Sequence, residues 1–114
     1  MNLNILDLYT KDSEVISYTD GVEKMGIVTP DHEEGFCLLV KNTSQETVTV
    51  TVKAGNSIYA MGDLNVSVNG SEEVIINLKN TGRYKNVYGE NSGKVMIDIN
   101  AASPSDVKVC PVSL

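Results

Sequence analysis

Hydrophobic and polar residues alternate along most of this chain, with the period of two that sends successive side chains to opposite faces of a strand. The clearest stretch is Thr47-Val48-Thr49-Val50-Thr51-Val52-Lys53, in which the valines share one face and the threonines share the other with Lys53. Leu64, Val66 and Val68 alternate with Asn65, Ser67 and Asn69, and Val74, Ile76 and Leu78 repeat the pattern. Between those two runs, Asn69-Gly70 predicts a tight hairpin with a return strand, because both residues tolerate the positive φ such turns demand. Phe36, Leu38 and Val40 form another run, as do Val95, Ile97 and Ile99, and then Val107 and Val109. Weaker candidates cover residues 15–18 and 23–28.

Strand parity taken over all these runs predicts one core. It consists of Phe36, Leu38, Val40, Val48, Val50, Val52, Val66, Val68, Val74, Ile76, Val95, Ile97, Ile99, Val107 and Val109. The connections carry turn chemistry at Thr29-Pro30-Asp31, Lys41-Asn42-Thr43-Ser44, Ala54-Gly55-Asn56-Ser57, residues 89–93 and Ala102-Ser103-Pro104-Ser105. Many short strands at this spacing predict an all-β fold. The expected form is a single small antiparallel β-sandwich of about eight strands, immunoglobulin-like or jelly-roll-like, spanning residues 1–114. Within residues 1–12, Leu3, Leu6 and Leu8 suit an N-terminal arm, a strand or a helical turn.

Composition supports a folded chain, because 41% of its residues are hydrophobic and burial of Val and Ile offsets the entropy of ordering. A formal charge of −6 argues against a nucleic-acid partner, which would require clustered Lys and Arg. No basic start or apolar run of export or membrane-spanning length stands in the sequence, so neither a signal peptide nor a membrane partner is expected. That predicts folding in a reducing cytoplasm with Cys37 and Cys110 as thiols, a disulfide following only if the protein ends up outside the cell.

Candidate chemistry is sparse. His32 is the one histidine, in the turn Asp31-His32-Glu33-Glu34, with no activated serine nearby and no second ligand cluster to complete a metal site. A solvated acidic turn is the simpler reading, and neither a cofactor nor a catalytic residue is expected. Gly55 and Gly62 bracket Asn56-Ser57-Ile58-Tyr59-Ala60-Met61 without the spacing of a phosphate-binding loop. Asn42, Asn65 and Asn69 begin N-x-Ser triplets that read as polar turn and strand positions. Arg83, Tyr84, Lys85, Val87 and Tyr88 are the candidate interface. They combine aromatic, apolar and cationic groups where the strand pattern lapses, although tyrosines that cap a sandwich end would look the same.

The succession Val50-Thr51-Val52-Lys53-Ala54-Gly55-Asn56, Gly62-Asp63-Leu64, Val66-Ser67-Val68-Asn69-Gly70, Gly82-Arg83-Tyr84-Lys85-Asn86 and Gly93-Lys94-Val95-Met96-Ile97 resembles small β-sandwich structural proteins of tailed bacteriophages and prophages, head decoration proteins in particular. The likeness covers about half the chain, from Val48 to Ile99, and consists of strands and glycine turns. It implies a non-enzymatic virion protein, made in the bacterial host cytoplasm, that docks on the outside of an assembled capsid and reinforces it. The partner would be the major capsid protein, with homo-oligomerisation left open. A carbohydrate-binding or immunoglobulin-like adhesion module is the alternative, disfavoured by the absence of Trp for sugar stacking.

Overall fold

The alternating runs become strands because each lays one apolar face against a common interior. The structure is a computed structural model that describes residues 1–8, 11–29 and 35–113. Its strands in chain order are β1 (Asn2–Asn4), β2 (Leu6–Asp7), β3 (Thr19–Asp20), β4 (Lys24–Val28), β5 (Phe36–Asn42), β6 (Val48–Val52), β7 (Leu64–Val68), β8 (Glu73–Leu78), β9 (Lys94–Asn100) and β10 (Val107–Ser113). They form two sheets, one ordered β1-β4-β9-β6-β7 and the other β2-β10-β5-β8, with β3 also paired to β10. The fold is all-β, as the alternation predicts, and consistent with a small β-sandwich.

Thirteen of the fifteen expected core positions are buried; the other two, Val66 and Val74, remain half-buried. Leu3, Met25, Ile27 and Leu78 join the core as well. The expectation of a purely antiparallel sandwich needs correction. β1 runs parallel to β4, with Leu3 opposite Ile27, and β2 runs parallel to β10, with Leu6 opposite Val112. The start of the chain therefore contributes to both sheets, with residues 2–4 and 6–7 as strands on either side of Ile5. Lys24–Val28 is a strand, but 15–18 is not, since Val15 and Ile16 are both exposed and share no buried face.

Asn69-Gly70 does not form the expected hairpin. β7 pairs with β6 and β8 with β5, in different sheets, so the connection arches across the edge of the sandwich. Positive φ falls on Ser71, at 64°. Gly70 serves another purpose, because a Cβ there would collide with the Gln45 carbonyl of the neighbouring β5–β6 connection. Pro111 is also accommodated by topology. On the side of β10 away from β5, β3 ends its pairing at Val109 and β2 begins at Val112, so the residue without an N–H falls in the gap.

Candidate functional site

At one end of the sandwich two connections meet: residues 53–63 between β6 and β7, and residues 79–93 between β8 and β9. Lys53 and Asp63 pair at 2.8 Å across the base of the first, and the Asp63 carboxylate also accepts the Ala54 N–H at 2.7 Å. These two donors, Lys53 first, hold the Asp63 carboxyl below its ordinary range. The second connection opens with a single 3-10 turn, Thr81–Arg83.

Hydrogen bonds join the two connections. The Gly55 N–H donates to the Arg83 carbonyl at 3.0 Å and Ser57 Oγ to the Gly82 carbonyl at 2.8 Å. Asn56 accepts the Val87 N–H through Oδ1 at 2.7 Å and donates Nδ2 to the Tyr88 carbonyl at 2.9 Å. Gly55 is required at this crossing, because a Cβ would strike the backbone of Tyr84 and Lys85. The backbone of the surface is thereby fixed while its apolar side chains point into solvent.

Ile58 is 90% exposed, Met61 73%, Tyr59 67%, Tyr88 66% and Val87 53%. Ile58, Tyr59 and Met61, with Asn80, Gly82 and Arg83, line an open cleft of about 560 Å³. Scattered exposed apolar residues are ordinary, whereas several gathered on one surface mark an interaction site.

Of the five residues singled out in the sequence, Arg83, Val87 and Tyr88 are exposed on this surface. Lys85 is half-buried and bridges to Val95 on β9. Tyr84 packs half-buried against the core and acts as a cap of the sandwich end. Ile58, Tyr59 and Met61 were absent from the expected interface. Their signal was an apolar group lying inside a Gly-bracketed connection without alternation, where no strand face could bury it.

Charge is also segregated. Five of the nine cations pair with carboxylates: Lys11 with Glu14, Lys24 with Asp98, Lys41 with Glu73, Lys53 with Asp63 and Lys108 with Asp20. The remaining four, Lys79, Arg83, Lys85 and Lys94, form no ion pair among the described residues. Residues 79–94 contain these four cations and one acid, Glu90, for a formal +3 within a chain of −6.

Elsewhere, residues 31–34, where the sequence predicts an acidic turn containing His32, lie outside the described residues. Among the described residues no group of three or more His, Cys, Asp or Glu could hold a metal, and no helix is long and apolar enough to cross a membrane. Asn42 is buried, with its amide nitrogen engaged, and has no room for a glycan. Cys37 and Cys110 are free thiols on adjacent strands, opposite Val112 and Leu39 respectively rather than each other. Parity puts Cys110 on the outward face with Lys108, yet it is buried, with Ser17 and Thr19 from the segment leading through β3 beside it. No family model matches this chain, nor does any curated protein or solved structure, and the likeness to phage head proteins therefore rests on its strand and glycine-turn pattern alone.

Proposed function

We propose that this is a non-enzymatic structural protein of a phage or prophage virion, one that docks on the outside of an assembled head and stabilises it through the loop end just described. The main support is the coincidence, at one end of the sandwich, of five exposed apolar side chains with all the cations that lack an ion pair among the described residues. That composition suits a protein surface. Ile58, Met61 and Val87 offer adaptable apolar contact, Tyr59 and Tyr88 are amphipathic anchors, and Arg83 and Lys85 favour an acidic patch. A lattice of capsid subunits would present such a patch many times. Each bound copy then adds its binding free energy to the assembled shell rather than to free subunits.

The test is co-sedimentation of the purified chain with heads assembled from the major capsid protein of the same genome. Ile58→Asp and Tyr88→Ala are expected to keep the parent melt and to weaken binding by about tenfold or more, since such anchors are worth ~2 kcal/mol. Tyr84→Ala should instead lower the melting temperature, because its ring packs on the core. A parent chain that stays in the supernatant with heads but pellets with a polysaccharide would move the assignment to a carbohydrate-binding module.

A further inference from the structure

Three core-facing aliphatic side chains, Leu64, Val66 and Val74, stay half-exposed, and all three line the margin where β7 ends one sheet and β8 ends the other. Sheet edges are normally guarded against pairing by shortness, charge, proline or a bulge. At the opposite margin β1 has three residues and β2 has two. β8 carries the charged Glu73, paired with Lys41. β7 has none of these guards. Its sequence Leu64-Asn65-Val66-Ser67-Val68 holds no charge, proline or glycine, and its register with β6 is unbroken from Val68 opposite Val48 to Leu64 opposite Val52.

We propose that the β7 margin is an interface between two copies of this chain, formed by antiparallel pairing of β7 with β7 of the second copy about a two-fold axis through Val66. Such an axis keeps each face of the sheet on its own side, so the facing partners are Asn65 with Ser67, Leu64 with Val68 and Asp63 with Asn69. No two acids meet, although the net charge of −6 opposes most self-contacts. Aliphatic groups meet on the core side and small polar groups on the outside, which covers Leu64 and Val66. The contact closes at two copies, because each β7 has one open edge and the pairing uses both. A strand from another protein would have to bring the same alternation of aliphatic and neutral residues, whereas this chain carries its own complement. The inference uses a different surface from the docking end and stands or falls separately from it.

Sedimentation equilibrium of the full chain across the micromolar range should give twice the 12.3 kDa chain mass. The double variant N65K/S67K sets lysine opposite lysine at two symmetric places on exposed positions, and should weaken the dimer by at least about tenfold. Its monomer should melt like the parent's dissociated chain. In the parent, amides of residues 64–68 that face the open edge should exchange more slowly as protein concentration rises, a measurement that does not depend on any variant folding. A chain monomeric throughout the range overturns the proposal. So does a dimer that N65K/S67K leaves intact, or one that Ile58→Asp dissociates, which would put the contact at the loop end.

Discussion

Asn42 shows how much one polar side chain can organise. It is buried at the end of β5, where the chain leaves one sheet for the other. Its Nδ2 donates to the carbonyls of Glu46 at 2.7 Å, Val68 at 3.1 Å and Asn69 at 3.2 Å, while Oδ1 accepts from Ser44 N and Oγ. One amide thus ties the β5–β6 connection to the β7–β8 arch. Asn42→Ala should cost about 2–4 kcal/mol, read from a urea transition with an unchanged slope, because it strands carbonyls that water reaches poorly. A second residue-scale prediction tests the register. Val50 is fully buried and Thr49 is on the opposite face, between Ser67 and Asn100. Val50→Asp should leave no cooperative melt, while Thr49→Asp should melt within a few degrees of the parent.

Among the elements, the 53–63 connection depends on pH through Asp63. Its folded carboxyl titrates below the unfolded one, so the unfolded chain binds the extra proton first. The resulting stabilisation is full above the ordinary value of about 3.9 and is lost as pH falls through the lowered one. The protection of the Ala54 amide, taken relative to its intrinsic exchange rate at each pH, should therefore fall as Asp63 protonates below the ordinary carboxylate range, and Asp63→Asn should remove that acid dependence. The central strands were legible because β5, β6, β9 and β10 each bury one full face, so parity alone identifies their core residues. Local chemistry misled at Asn69-Gly70, since a turn-forming pair serves an arch between sheets as readily as a hairpin within one. Tyr84 and Tyr88 look alike in sequence. One lies against the core and the other beyond the crossing with Asn56, a tertiary contact that no local pattern encodes.

For the molecule as a whole, the two thiols report on how the segment from residue 11 to 18 lies over the second sheet. Burial pushes the Cys110 thiol up, with the Ser17 backbone bond opposing it and Cys37 nearby. Under native conditions Cys37 should alkylate first and Cys110 slowly, with both modified on unfolding without reductant, as intact mass would show. A mass two hydrogens lower and two unreacted cysteines would mean a disulfide instead. The long-range pairing of Leu6 with Val112 has a further consequence, for synthesis. β10 lies between β5 on one side and β2 and β3 on the other, so the second sheet cannot close until Ser113 has left the ribosome. Until then β2, β3 and β5 lack their common neighbour, and the nascent chain presents open edges and an uncovered core face. Folding is consequently a non-local event with a high contact order, and a chain that still lacks β10 is the form in which this sandwich is most exposed to aggregation.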